Sequence, residues 1–280
     1  MQTNPSAPIG VFDSGIGGIS VLRALLAALP QERFVYAGDS AHAPYGERGD
    51  AYVTARSEAV LADMRRTHGI KAYVIACNTA TAAAGRALRE QHADLPIIGI
   101  EPALKPGALA TRTGRVGVLA TRGTLASEKF RLLRERLSGP VEFVPHACDG
   151  LAAAIEKEAS SGEQTQTDIL IEQHVGALGT LGHEPGQIDT VVLGCTHYPL
   201  IAARIQQRTG QTVQLIDPGE AVARHTRDLL TAQGLLATQV APAPSLQLLD
   251  SGDGRALGAA AARWLEGEAS MVKVQAFATA

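Results

Sequence analysis

Two kinds of hydrophobic patterning alternate along the chain. Short runs in which nearly every residue is apolar, such as IGVF at 9–12, AYVIA at 72–76 and TVVLG at 190–194, mark strands buried on both faces. Between them lie longer stretches rich in Ala, Leu and Arg with helical spacing. The pattern predicts strands near 9–12, 33–37, 72–76, 97–100, 115–119, 141–145, 190–194, 213–216 and 246–249, with helices near 50–67, 124–137, 168–181 and 217–233. Such alternation builds parallel sheets with crossover helices, so the expected class is α/β with doubly wound parallel sheets. After Trp264 the pattern fades, and 268–280 reads as a C-terminal tail.

The two halves of the chain repeat one another weakly. IGVFDSGIGG (9–18) and VGVLATRGTL (116–125) each pass from a strand through a polar, glycine-containing turn into a helix. Later in each half an apolar strand stops at a cysteine: KAYVIACNTATAAA (71–84) and IDTVVLGCTHYPLI (188–201). The repeat predicts two similar α/β units related by a pseudo-twofold, one built from 1–99 plus 210–267 and the other from 100–209. Ligands in such sheets bind beyond the carboxyl ends of the strands. Cys77 and Cys195 should therefore face one cleft.

Composition narrows the partners. With 280 residues, 45% apolar and 19% charged, the chain has material for two globular units. A net charge of −3 offers no basic face for nucleic acid or an anionic membrane. No window is apolar over the roughly 18 residues a membrane span needs, and the N-terminus lacks a leader pattern, so a cytoplasmic location is expected. Cysteines stay reduced there, and three of them argue against a disulfide framework. The thiols are core filler or chemistry, and the partner is a small molecule.

Hydrogen-bonding residues follow each cysteine at what reads as a helix start: Asn78 and Thr79 after Cys77, Thr196 and His197 after Cys195, with Pro199 suited to an early helical position. Helix N-termini offer free N–H groups and a positive dipole end, which lower a thiol's pKa and receive carboxylates. One strand-end cysteine would as readily be filler. Two at equivalent points of a repeat favour chemistry. The glycine-rich DSGIGG does not fit the dinucleotide fingerprint and no phosphate-binding loop occurs, so no cofactor is expected. Zinc could recruit Cys195 and His197, yet neither a CxxC pair nor an HExxH helix is present, and no metal is expected. A thiol hydrolase would leave one cysteine idle. Inverting a carbon stereocentre uses both, one removing a proton from one face and the other delivering a proton to the opposite face.

The segments GVFDSGIGGISVL, GDSAHAPYGER, ACNTA, IEP, LGCTHYPL and DPG, in this order, resemble the glutamate racemases of the aspartate/glutamate racemase superfamily over about 9–265. The resemblance implies interconversion of L- and D-glutamate without pyridoxal phosphate or metal, supplying D-glutamate for peptidoglycan, commonly in a homodimer. It places the acid/base thiols at Cys77, which would deprotonate D-glutamate, and Cys195, which would deprotonate L-glutamate. Asp13 assists the first and His197 the second, and a further acid falls on Glu156, where ACDGLAAAIE has Asp149 at a position the family usually fills with proline. Substrate contacts fall on Asp13, Ser14, Tyr45, Gly46, Asn78, Thr79, Thr196 and His197. Taken alone, Asp13 is an ordinary capping acid, His197 an ordinary satisfied histidine and Tyr45 a packing residue. Cys148 has no twin and is expected to be structural, and Glu101-Pro102 marks a cleft rim at most. A racemase for aspartate or hydantoin, a decarboxylase needing one cysteine, and a non-catalytic binder of acidic amino acids are the competing readings.

Overall fold

The computed structural model describes residues 4–239, 245–265 and 274–277. Its first half runs β1 (Ile9–Asp13), α1 (Ile19–Ala28), β2 (Phe34–Gly38), α2 (Asp50–His68), β3 (Ala72–Ile75), α3 (Asn78–Gln91), β4 (Ile97–Gly99) and α4 (Leu104–Ala110). There follow β5 (Arg115–Ala120), α5 (Arg122–Ala126), α6 (Glu128–Leu137), β6 (Glu142–Ala147), α7 (Leu151–Ser161), α8 (Thr165–Gly176), β7 (Thr190–Gly194), α9 (Ala202–Thr209) and β8 (Gln214–Ile216). The chain closes with α10 (Gly219–Ala232), β9 (Leu246–Asp250), α11 (Arg255–Trp264) and β10 (Val274–Ala276).

Every strand pairing is parallel, and the strands form two sheets, β10-β9-β2-β1-β3-β4 and β6-β5-β7-β8. Set aside β9 and β10, and the two sheets share one order. In each, the first strand lies between the second and the third, and the fourth pairs outside the third. β1, β2, β3 and β7 are buried along their whole length, which is why they read as unbroken apolar runs. One cluster of buried side chains continues from Val11 and Ile19 of the first unit to Leu119, Val191 and Leu193 of the second, so the two units share a core across the cleft floor. No described helix is long and apolar enough to cross a membrane.

Several boundaries differ from the sequence pattern. β8 pairs with β7, register Thr190 to Gln214, so Gln214–Ile216, expected with the first unit, belongs with the second sheet. The repeat explains this: β8 takes the place in its sheet that β4 takes in the other. The helix predicted over 124–137 is two helices, because Ser127 is extended and its hydroxyl accepts from Phe130 N–H as the cap of α6. The helix predicted over 168–181 ends at Gly176, short of Gly179, whose φ of 96° leaves the helical region. Of the expected tail, Val274–Ala276 pairs with β9, a strand too short to show periodicity, while 268–273 and 278–280 lie outside the described residues.

Candidate active site

β1, β3, β5, β6 and β7 all point their carboxyl ends at one cleft, and a cavity of about 630 Å³, counting its open mouth, lies there. From the first unit it is lined by Ser14, Tyr45, Gly46, Cys77, Asn78 and Thr79. From the second come Glu156, Cys195, Thr196 and His197. Residues predicted from segments as far apart as 14 and 197 thus meet in one place.

Cys77 lies one residue beyond β3 and caps α3, its sulfur accepting from Ala80 N–H at 3.4 Å. Its thiol also points at Ser14 Oγ, 3.8 Å away. The helix start was expected to lower this thiol's pKa. Burial reverses that: the loss of water, followed by the nearby Asp13 charge, pushes Cys77 up to about 12 against the smaller pull of Ala80 N–H and Ser14. At neutral pH Cys77 is therefore a thiol. Next to it, both polar atoms of the Asn78 amide are buried without a protein partner while the side chain lines the cavity. Amide groups left so are costly unless a ligand completes them.

The other side is built differently. Cys195 does not start an α-helix. Tyr198 N–H bonds Cys195 O and Leu200 N–H bonds His197 O, giving a 3₁₀ turn over Tyr198–Ile201 before α9 begins. Pro199 has no N–H to offer an α-type ladder there. The turn folds His197 back so that its Nδ1 lies 3.6 Å from Cys195 Sγ. On the far edge of the ring Nε2 donates to Glu156 Oε1 at 2.7 Å. Burial works against charge on His197, but the bonds to Cys195 and Glu156 outweigh it and hold the imidazole well above its ordinary pKa. Near neutral pH an imidazolium therefore sits between the Cys195 sulfur and the Glu156 carboxyl group. Glu156, placed by a motif that departs from the usual pattern, lies in direct contact with the ring.

Why the first turn is so rich in glycine is now visible. A Cβ on Gly15 would lie 2.0 Å from Glu156 Oε1, and one on Gly17 would lie 2.5 Å from His197 Nδ1. The turn of the first unit is pressed against the His197–Glu156 pair of the second, and Ile16 N–H donates to the same Glu156 oxygen at 2.8 Å. Asp13 is the predicted site residue that does not line the cavity. It is fully buried behind the wall, accepting from Gly15 N–H at 3.0 Å and from the Thr196 hydroxyl at 3.1 Å. Burial raises its pKa, with the His197 charge opposing. Tyr45 lines the cavity with its ring, since its hydroxyl is committed to Asp39 at 2.5 Å.

Thr121 was missed. Its hydroxyl lies 3.2 Å from that of Thr79 on the cavity wall. The signal was in the repeat: aligning IGVFDSGIGG with VGVLATRGTL sets Thr121 opposite Ser14. Arg122 and Asp149, also on the lining, form an ion pair with each other at the mouth. Cys148, expected to be structural, reaches the cavity wall although mostly buried. Glu101 pairs with Lys129 at 2.8 Å, away from the thiols.

Paired parallel sheets that bring two repeat-related thiols to one pocket lined by hydrogen-bonding side chains define an α/β protein with a small-molecule site between its sheets. The Asp/Glu/hydantoin racemase family matches residues 9–226, and the chain belongs to it. Curated glutamate racemases of Ectopseudomonas mendocina and Stutzerimonas stutzeri are 46% and 48% identical, covering 88% and 83% of this chain and 90% and 85% of their own. Among solved structures, the Bacillus anthracis glutamate racemase isoform RacE1 superposes with a TM-score of 0.84 at 30% identity, covering 98% of both chains. The Escherichia coli glutamate racemase, solved with L-glutamate and the activator UDP-MurNAc-Ala, gives 0.83 at 29% identity over 98% of this chain and 99% of that one.

Proposed function

We propose that this chain is a glutamate racemase that interconverts L- and D-glutamate by proton transfer to and from Cys77 and Cys195. The observation that carries the reading is the placement of these two thiols, at the same point of two repeated units, on one pocket whose walls hold hydrogen-bonding residues at a helix start and a turn. One thiolate takes the α-proton, and the planar carbanion receives a proton from the thiol on its other face. No electrons are gained or lost, and each turnover leaves the two cysteines with exchanged protonation.

The surroundings suit an amino acid with two carboxylates. The Asn78 amide, the Thr79 hydroxyl and the helix start at α3 receive one carboxylate, while Ser14, Thr121 and Thr196 offer further donors. The His197 imidazolium complements negative charge on the Cys195 sulfur. Asp13 acts from behind the wall, holding the turn at Gly15 and the Thr196 hydroxyl. The same reading makes D-glutamate for peptidoglycan the product in use, a cytoplasmic location in which Cys77, Cys148 and Cys195 stay free thiols, and a homodimer as the working form.

Incubating the purified protein with L-glutamate alone in D₂O tests this. Optical rotation should decay to zero, with deuterium appearing at the α-carbon of both isomers, and L-aspartate should react far more slowly. Cys77→Ser and Cys195→Ser should each abolish the decay, because an alcohol ionises far less readily than a thiol. Unchanged rotation with glutamate, or near wild-type decay in either variant, refutes the proposal.

A further inference from the structure

Beside the proposed active site lies a cluster that the proton-transfer chemistry does not use. His146 ends β6 one residue before its last position, Cys148 follows that strand, and His174 sits in the last turn of α8. Their donor atoms all lie within 4.8 Å of one another. Cys148 and His174 are buried and His146 is partly so. The three residues come from segments 28 positions apart, joined by no CxxC or HxxxH spacing, so no sequence motif announces them.

The hydrogen bonds set the imidazoles as a metal would need them. His174 Nε2 lies 3.1 Å from the carbonyl oxygen of Asp149. A carbonyl only accepts, so the proton is on Nε2 and the Nδ1 lone pair is free. That lone pair points at His146 Nε2, 2.9 Å away. A histidine whose far N–H is held by a backbone carbonyl is the usual oriented ligand of protein metal sites. Two imidazole nitrogens facing each other at hydrogen-bond distance share one proton, and a cation can take that proton's place. Around tetrahedral zinc, with Zn–N near 2.0–2.1 Å and Zn–S near 2.3 Å, ligand atoms stand roughly 3.3–3.6 Å apart. The rings need to separate by only about 0.4 Å, and the sulfur already lies within reach.

We propose that His146 Nε2, His174 Nδ1 and Cys148 Sγ form a binding site for a borderline-soft divalent cation, Zn²⁺ in preference to Mg²⁺ or Ca²⁺, with water in the fourth position. Imidazole and thiolate donors select zinc and its transition-metal neighbours over the hard cations, which take oxygen ligands. On binding, the Cys148 proton leaves to solvent and a Zn–S bond replaces S–H, while the proton on His146 Nε2 passes to solvent and one is taken up at its Nδ1, so the ring stays a neutral imidazole and no oxidation state changes. Because Cys148, Asp149 and Gly150 line the cavity and lead into α7, which carries Glu156, an occupied site ties the β6–α7 connection to α8 at the pocket wall. The site lies beside the thiols and is independent of the racemase reading.

The test titrates ZnCl₂ into the fully reduced protein by calorimetry and reads Co²⁺ binding by its sulfur-to-metal charge-transfer absorption. One ion per chain is expected, together with the charge-transfer band. His146→Gln, at a partly exposed position, and His174→Asn should each weaken binding at least tenfold, and Cys148→Ser should remove the band. The cleft thiols are the alternative ligands. A Cys77→Ser/Cys195→Ser double variant should therefore bind as the wild type does, and saturating glutamate should not displace the ion. Binding that vanishes in the double variant, or that survives His146→Gln and His174→Asn unchanged, overturns the proposal, as does the absence of stoichiometric binding in the wild type.

Discussion

Replacing Glu156 by Gln probes the asymmetric half of the site with little change of shape. Glu156 Oε1 accepts two hydrogen bonds, from His197 Nε2 at 2.7 Å and from Ile16 N–H at 2.8 Å. An amide oxygen in the same place accepts both, so the substitution removes charge and leaves geometry. A hydrogen bond to a charged group contributes about 1.5–3 kcal/mol and a neutral one about 0.5–1.5 kcal/mol, so roughly 1–1.5 kcal/mol of support for the imidazolium is lost. The Glu156 side chain keeps 17% of its exposure, so water offsets part of this. At about 1.36 kcal/mol per tenfold, the step at Cys195 should slow about 5–15-fold. Glu156→Ala also strands the Ile16 N–H and the His197 ring, adding about 1–3 kcal/mol, for a total near 10²-fold or more.

The assay must respect a constraint. Enantiomers have equal free energy in achiral solvent, so the equilibrium constant is unity and kcat/KM must stay equal in the two directions for any variant. Direction is instead read from isotope effects on substrates deuterated at the α-carbon. If Cys195 removes the proton of L-glutamate, Glu156→Gln makes that step more nearly limiting. The isotope effect should then rise with α-deuterated L-glutamate and fall toward one with the D-isomer. A loss below threefold with both isotope effects unchanged refutes the role given to the His197–Glu156 pair. Effects of opposite handedness keep the pair but exchange the faces of the two thiols.

Three further outcomes follow from the same geometry. With Cys77 pushed up to about 12, its thiolate fraction should rise nearly tenfold per pH unit across pH 7–10, so iodoacetamide labelling of Cys77, read by peptide mass spectrometry, should climb without a plateau and be slowed by bound glutamate; a plateau below pH 9 contradicts burial as the dominant cause. Lys71 and Glu32 form a buried ion pair at 2.5 Å, and Lys71→Met, which leaves Glu32 without its cation, should cost about 3–5 kcal/mol in urea unfolding, while a loss under 1 kcal/mol speaks against the pair. Gly15→Ala sets a Cβ against Glu156 Oε1 and should cost about 10²-fold in kcat, yet add little in a Glu156→Ala background, because the two changes act through one contact.

Much of the fold is legible in the sequence because parallel strands covered on both faces must be apolar throughout. That is why IGVF, AYVI and TVVLG announce themselves, and why the strand ends, where polar residues resume, point at the cleft. Reading fails where short contacts decide. Val274–Ala276 carries no period of its own and becomes a strand only by pairing with β9. Ser127 breaks a helical pattern through one side-chain cap. The position of β8 follows from the strand order of the repeat and not from its own residues. In the site, Cys77 and Cys195 are visible as a repeat, but the environment of each is not. Neither the burial that raises Cys77 nor the withdrawal of Asp13 behind the wall has a local signature. His146, Cys148 and His174 meet only through the packing of α8 against β6 and the loop that follows it.

The departures from symmetry carry as much chemistry as the symmetry does. Repetition of a strand–turn–helix unit places two sulfurs at like points of two sheets, and that alone suits a reaction whose two directions interconvert mirror images. It does not require two equal bases. Cys77 has only the Ser14 hydroxyl and a backbone N–H as hydrogen-bond partners among the described residues, whereas Cys195 has a charged imidazole held by a carboxylate. The difference traces to the turns that follow β1 and β5. After β1 the turn carries Gly15, Gly17 and Gly18, and their bare backbone lets His197 and Glu156 approach; after β5 the repeat-equivalent positions of Gly15 and Gly17 carry Arg122 and Thr124. A carboxylate–imidazole pair can therefore dock against the first turn and has no counterpart against the second. With equal substrate free energies, the two barriers can still match if each sulfur's cost of ionisation is offset by a different means: a fixed imidazolium at Cys195, and at Cys77 the substrate's own ammonium, which sets a positive charge beside a sulfur that has no cationic hydrogen-bond partner among the described residues. On this account glutamate is both substrate and activator of one of its bases, and analogues without the α-ammonium should leave the labelling rate of Cys77 by iodoacetamide unchanged apart from steric shielding.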